Sequence, residues 1–435
     1  MPVEIWIGIA MFGTLLGLIL IGVPVAFSLF TVALGSLLIV EGGLFSLSLV
    51  AATINSSVME FTLTAVPLFI LMGAVISASG MGSRLYNALA VLMHGIPGAL
   101  LVATTLASTI MAAVSGSSVA TAGAIGSLSV KEMRRLGYRD DDSCGAVAAG
   151  GTLGILVPPS IPMIIYGIIA EQSIRQLFIA AIVPGLLMAG AFIAYQTWLA
   201  RRRGELPIPD GVRQGPITLR KRARALLELI PMALLIWVIL GSIYMGVATP
   251  TEAAALGAIT SLVLSGIVYR ELNASVLLLI FKEAARSSVM VLLIVVAAML
   301  FGYVATTTAV APVISTTVAS LDVSPWLILV AIMAFLLFLG CFLETLSIIV
   351  ITTPILVPII QGFGWDLVWF GVLMIINMEM ALITPPVGLN LFIVQGVVRD
   401  VSLERIMLGA APYVGIMALV LALVAIFPEL TMLLN

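Results

Sequence analysis

At 435 residues, 62% hydrophobic and only 9% charged, with a mean hydropathy of +1.25, the chain carries more long apolar runs than a soluble core can absorb. Its net charge of −2 carries little information, because in so apolar a chain the placement of Lys and Arg matters rather than their sum, and nucleic acid is not an expected partner. Two cysteines within apolar runs, Cys144 and Cys341, and one histidine, His94, exclude a disulfide framework and a multi-ligand metal site.

The N-terminal Met1-Pro2-Val3-Glu4-Ile5 lacks the basic region and cleavage site of a secretory signal and reads as part of a first span. Apolar runs at about 4–21, 22–40 and 61–79 predict spanning helices, with a weaker amphipathic stretch at 44–60. From about 95 to 130 the chain is again apolar but is interrupted at Ser115-Gly116-Ser117-Ser118. Two half-spans joined by a polar tip make a re-entrant hairpin. A broken segment follows at about 143–169, containing Gly151-Thr152-Leu153-Gly154-Ile155-Leu156-Val157-Pro158-Pro159-Ser160-Ile161-Pro162. Tandem prolines remove backbone donors and unwind a helix. In hydrocarbon such backbone survives only where it is buried in protein or lines a polar cavity, so the break marks a site. A span at about 176–198 follows.

Residues 201–225 form a basic linker with Arg201-Arg202-Arg203, Arg213 and Arg220-Lys221-Arg222. Beyond it, 226–435 repeat the order: spans at about 228–247 and 250–269, an amphipathic stretch near 272–285, a span at 287–305, a hairpin at about 325–361, a broken segment at about 367–398 and a span at about 405–432. Individual residues repeat too. Gly22-Val23 returns as Gly246-Val247, Ser56-Ser57-Val58-Met59 as Ser287-Ser288-Val289-Met290, and Pro158-Pro159 as Pro385-Pro386, at offsets of 224 to 231 residues. With the linker in the cytoplasm, 18 of the 19 Lys and Arg residues fall on the cytoplasmic side and Arg175 outside. Five spans and one hairpin per half is an odd number of crossings, so residues 1–200 and 226–435 are expected as two inverted repeats with both termini outside. The fold class is an all-α polytopic membrane protein, each repeat holding about five spanning helices, one of them broken at Gly/Pro.

Inverted repeats with discontinuous helices are the architecture of secondary transporters, whose solute and coupling ions bind between the broken elements. The tip Ser115-Gly116-Ser117-Ser118 supplies hydroxyls and free backbone suited to a hard cation, facing Gly154. At the equivalent place of the second half stands Glu344-Thr345-Leu346-Ser347. A carboxylate inside a membrane segment is a functional candidate by default, although Glu344 also suits a helix N-terminus as a cap; Glu379 is ambiguous in the same way. At the second break, Thr384, Gly388 and Asn390 combine freed backbone with side-chain oxygens. Ser160, Pro159, Gly388 and Asn390 are the candidates for the solute, and Ser115, Gly116, Ser117, Ser118, Gly154, Glu344, Thr345, Ser347 and Thr384 for Na+. Glu252, in Thr249-Pro250-Thr251-Glu252, is explained locally by a capping box. An intramembrane serine hydrolase would need His94 beside Ser115–Ser118, yet His94 precedes the hairpin and stands roughly 20 Å away at helical rise.

Ala113-Val114-Ser115-Gly116-Ser117-Ser118-Val119-Ala120-Thr121, Gly151-Thr152-Leu153-Gly154 with Pro158-Pro159-Ser160-Ile161-Pro162, Ala248-Thr249-Pro250-Thr251-Glu252-Ala253, Leu343-Glu344-Thr345 with Thr353-Pro354-Ile355-Leu356, and Ile383-Thr384-Pro385-Pro386-Val387-Gly388-Leu389-Asn390 together resemble the large membrane subunit of tripartite ATP-independent periplasmic (TRAP) transporters. The resemblance covers nearly the whole chain. It implies a sodium-coupled importer of a small organic acid in a bacterial or archaeal inner membrane, fed by a periplasmic binding protein and joined by a small four-helix membrane subunit as a separate polypeptide. It also implies elevator movement. No nucleotide-binding motif is present, so the energy must come from an ion or solute gradient. A single-component ion-coupled carrier of the same superfamily, without a binding protein, is the rival within transport.

Overall fold

The computed structural model describes residues 3–40, 44–203, 218–269, 272–320 and 322–434. The middle of the expected linker, including Arg213, together with Arg270 and the extreme termini, lies outside the described residues. All regular structure among the described residues is helical. Among the described residues, eight helical segments are long and apolar enough to cross a membrane, and further apolar helices are shorter.

Helices α1 (Val3–Leu20), α2 (Val25–Val40) and α3 (Leu44–Val58) lead through a 3₁₀ turn into α4 (Ala65–Ala78) and α5 (Met81–Leu92). The first hairpin is α6 (Ala99–Ser115) and α7 (Ser118–Arg135), and the first broken segment is α8 (Asp140–Leu156) and α9 (Ile161–Ile169). After α10 (Ile174–Arg202), α11 (Leu219–Ile236) passes through one π-helical turn into α12 (Ser242–Tyr244), followed by α13 (Pro250–Val263) and α14 (Ala274–Thr307). Next come α15 (Val310–Ala319), the second hairpin α16 (Pro325–Gly340) and α17 (Thr345–Gly362), and the second broken segment α18 (Leu367–Ala381) and α19 (Leu389–Val397). The last elements are α20 (Leu403–Ile426) and α21 (Glu429–Met432).

Three elements differ from the sequence reading. The amphipathic stretch near 272–285 and the span at 287–305 are one continuous 34-residue helix, α14, because no proline or glycine interrupts residues 274–301. Helices α5 and α15 lie in stretches to which the pattern of long apolar runs assigned no element; both are shorter than a span.

Packing sorts the helices into two groups. Helices α1–α4, α13 and α14 pack on one another; α11 touches α13 and packs mainly on α5, which lies between α4 and the hairpin α6–α7. Helices α6–α10 pack with α16–α20, so both hairpins and both broken segments belong to the second group. Lipid tails are as apolar as leucine, so close backbone approach has to hold such helices together. At the crossing of α8 and α20, Gly145 faces the Gly409 carbonyl and Gly409 faces the Asp141 carbonyl, with no space for a Cβ on either.

At the end of that crossing, charges interlock. Arg134, closing α7, donates to Asp140 at 2.6 Å and to Asp400 at 3.0 Å, and Arg405 of α20 donates to Asp141 at 2.8 Å. Arg203, after α10, pairs with Asp142. The Arg134 side chain holds the Asp400 carboxyl below its ordinary range.

Candidate functional site

The first tip forms because Gly116 turns the chain at φ 60°, ending α6. Ser117 is extended, and its hydroxyl accepts from the Ala120 amide at 3.3 Å, starting α7. Ser115 Oγ lies 2.9 Å from Thr121 Oγ1 across the tip. This tip rests on the first break. A Cβ on Gly116 would stand 3.4 Å from the Pro159 carbonyl oxygen. A Cβ on Gly154 would stand 2.8 Å from Ser118 Cα and 2.9 Å from the Ser117 carbonyl, so α8 meets the tip backbone to backbone.

At the break itself Val157 and Ser160 are extended, and the Ser160 hydroxyl accepts from the Met163 amide at 3.4 Å, capping α9 with Pro162 in its first turn.

The second half builds the same junction with other residues. Gly340 ends α16 where a side chain would collide with Ala381 of α18, and the Cys341 thiol donates to the Pro385 carbonyl at 3.4 Å. Both proline pairs, Pro158–Pro159 and Pro385–Pro386, have cis peptide bonds. Glu344 occupies the N-cap position of α17, yet its side chain makes no cap hydrogen bond and the residue is exposed. The capping role open to it in the sequence is not formed.

Between the two tips and the first group of helices lies a cavity of about 330 Å³. Ser115, Gly116, Ser117, Ser118, Glu344 and Thr345 line it from the hairpins. Ile161 and Pro162 contribute from the first break, and Leu382 and Leu389 from the second. The opposite wall is α4, through Ile70, Gly73, Ala74 and Ser77, and α14, through Glu283, Ser287 and Met290. A Cβ on Gly73 would stand 3.1 Å from the Ser115 carbonyl oxygen, so the glycine lets α4 approach the tip. No Lys, Arg or His lines the cavity among the described residues, so His94 is not beside Ser115–Ser118 as a hydrolase would need.

Other candidates lie behind this wall. Gly154 supports the first tip, as above. Ser160 spends its hydroxyl on its cap, and Pro159 presents its carbonyl to Gly116. Ser347 is buried within α17. The Thr384 hydroxyl donates to the Met380 carbonyl at 2.6 Å, and Gly388, at φ 60°, starts α19. Asn390 is fully buried, its side-chain amide donating to the Ala148 carbonyl at 3.5 Å.

The α4 and α14 wall escaped the sequence reading because its residues sit in an ordinary span and an amphipathic stretch. The available signals were Gly73 and Ser77 one helical turn apart and Glu283 one turn before the Ser287-Ser288 pair.

Two hairpins seated on two proline-broken segments around a shared cavity define a polytopic transport permease rather than an enzyme. The description "Tripartite ATP-independent periplasmic transporter, DctM component" matches residues 12–430, and the chain belongs to this family. It is 35% identical to the sialic acid TRAP transporter large permease of Vibrio cholerae, over 96% of both chains. It is 37% identical to the C4-dicarboxylate TRAP transporter large permease of Pseudomonas aeruginosa, over 86% of both. An isethionate TRAP transporter permease of Oleidesulfovibrio alaskensis is 36% identical over 97% of this chain and 65% of that protein. The fold is also that of the Alcanivorax borkumensis YdaH transporter, with a TM-score of 0.63, 14% identity and 89% of both chains covered.

Proposed function

We propose that this chain is the transport subunit of a sodium-coupled importer of a small organic acid in the inner membrane, working with a periplasmic binding protein and a small four-helix membrane subunit. The observation that carries the reading is the cavity, bounded by both hairpin tips on one side and by α4 and α14 on the other. Sialic acid, isethionate and C4-dicarboxylates, the solutes named for the relatives, share an anionic group. With no basic side chain among the described residues at the cavity, that anion is held by backbone amides where α7 and α17 begin, helped by the tip hydroxyls. Na+ binds at Ser115–Ser118 over Gly154, and at Glu344, Thr345 and Ser347 near Thr384, and offsets the anion's charge. Ser160, Pro159, Gly388 and Asn390 shape these sites from behind the wall.

Residues 1–200 and 226–435 act as inverted repeats, and both termini face the periplasm, as the Lys and Arg distribution favours. Transport moves the group α6–α10 with α16–α20 past α1–α4, α11, α13 and α14 as an elevator. The test is liposome reconstitution with radiolabelled sialic acid, succinate and isethionate as probes. Uptake is expected only with binding protein, small subunit and an inward Na+ gradient together. Uptake by the chain alone would instead establish a single-component carrier, and uptake indifferent to Na+ would remove the coupling ion.

A further inference from the structure

Behind the first tip a second polar cluster is sealed from solvent. Glu379, on α18 just before the second break, and Asn390, in the first turn of α19, are both 0% exposed. Ser118 joins them to the cavity wall. Its hydroxyl donates to Glu379 Oε2 at 2.5 Å. Its carbonyl oxygen and Asn390 Nδ2 lie 3.2 and 3.1 Å from where a Cβ on Gly151 would stand, so this glycine lets the α7 backbone and the Asn390 side chain meet over α8.

Two atoms of the cluster have no hydrogen-bond partner, Glu379 Oε1 and Asn390 Oδ1. Both are oxygens with lone pairs, and the cluster's hydrogen bonds go elsewhere: the Ser118 hydroxyl donates to Glu379 Oε2, and Asn390 Nδ2 to the Ala148 carbonyl. Among the described residues no basic side chain forms an ion pair with Glu379. A buried carboxylate with one hydrogen bond and no counter-charge, beside an orphaned amide oxygen, is a place short of positive charge.

We propose that Glu379, Asn390 and Ser118 hold a Na+ ion at the junction of α7, α8, α18 and α19, a further site that shares Ser118 with the first tip and takes its carboxylate and amide oxygens from α18 and α19. Neither Glu379 nor Asn390 lines the cavity. The ligands come from the first hairpin and from both pieces of the second broken segment, so the ion links the two halves of the chain. Ser118 belongs both to this cluster and to the cavity wall, and binding here therefore orders the tip that meets the solute.

The choice of Na+ rests on the sodium-coupled reading above; the existence of the site rests on the orphaned oxygens. The test uses the purified full chain in detergent, with ²²Na+ equilibrium binding and thermal unfolding in NaCl against choline chloride at fixed ionic strength. Glu379→Gln, which keeps shape and removes charge, is expected to bind about one Na+ fewer per chain and to lose that ion's share of the Na+-dependent rise in Tm. Asn390→Ala is expected to raise the Na+ needed for half-maximal stabilisation roughly tenfold, as loss of a supporting ligand does. Full Na+ stoichiometry and an unchanged Tm response in Glu379→Gln would overturn the proposal and identify a neutral carboxylic acid instead. If that variant does not fold, wild-type Na+ dependence in Asn390→Ala overturns it equally. A wild-type chain that binds no Na+ at all would sink the sodium-coupled reading, an outcome distinct from either variant result.

Discussion

Gly154 has no room for a side chain, because a Cβ would press on the backbone of Ser117 and Ser118 rather than on a movable group. Gly154→Ala is expected to cost about 1–3 kcal/mol as overpacking. By displacing the tip it should also raise the Na+ required for half-maximal transport roughly tenfold, about 1.4 kcal/mol. Gly190→Ala on α10, where a Cβ meets open space, serves as the control, and equal Na+ requirements in the two variants would remove Gly154 from the site. Two glutamates show how much a local pattern decides. Thr249-Pro250-Thr251-Glu252 announces a capping box, and the box forms, with the Thr249 amide donating to Glu252 Oε2 at 2.8 Å and the Glu252 amide to Thr249 Oγ1 at 3.3 Å. Glu344 also precedes a helix, but it makes no cap bond and lines the cavity, whose opposite wall comes from α4 and α14, far away in the chain.

At the scale of elements, the hairpins and breaks were legible because Gly, Pro and Ser interrupt apolar runs, and few backbones satisfy such residues in hydrocarbon. The joining of two expected pieces into α14 was less so, since a change from amphipathic to fully apolar character does not by itself end a helix. The ionic clamp around Arg134 was invisible, as its partners Asp140 and Asp400 are 6 and 266 residues away. Its pH dependence has a definite sign. Asp400 is held below its ordinary carboxyl range, so its contribution is complete above about pH 4 and is lost as pH falls through the lowered value. Hydrogen exchange at 398–405 is therefore expected to stay slow from neutral pH down to about 4, after correction for intrinsic rates, and to quicken below it. Asp400→Asn should quicken it at every pH; an acid response unchanged in that variant would remove Asp400 as its source.

For the whole molecule, the two groups of helices meet along the cavity and at the contact of α14 with α17. A Cβ on Gly302 would stand 3.1 Å from Pro354 Cβ, so a slight separation of the two helices reaches the roughly 3.5–4.5 Å that a disulfide spans. With Cys144 and Cys341 replaced by Ala, the pair Gly302→Cys and Pro354→Cys is expected to cross-link and arrest transport until reduced, if the groups slide. Full transport in the cross-linked protein would rule the elevator out. The sequence by itself determined the class: apolar runs that need a membrane, breaks that need burial, and a recurring order that points to a paired site. Those signals are local, because a span must satisfy its own backbone in hydrocarbon. Only the tertiary structure decided which oxygens face the cavity and which are sealed behind it. Ser118 meets Glu379 across 261 residues of chain, and that meeting depends on how glycines let helices approach, not on any spacing along the sequence.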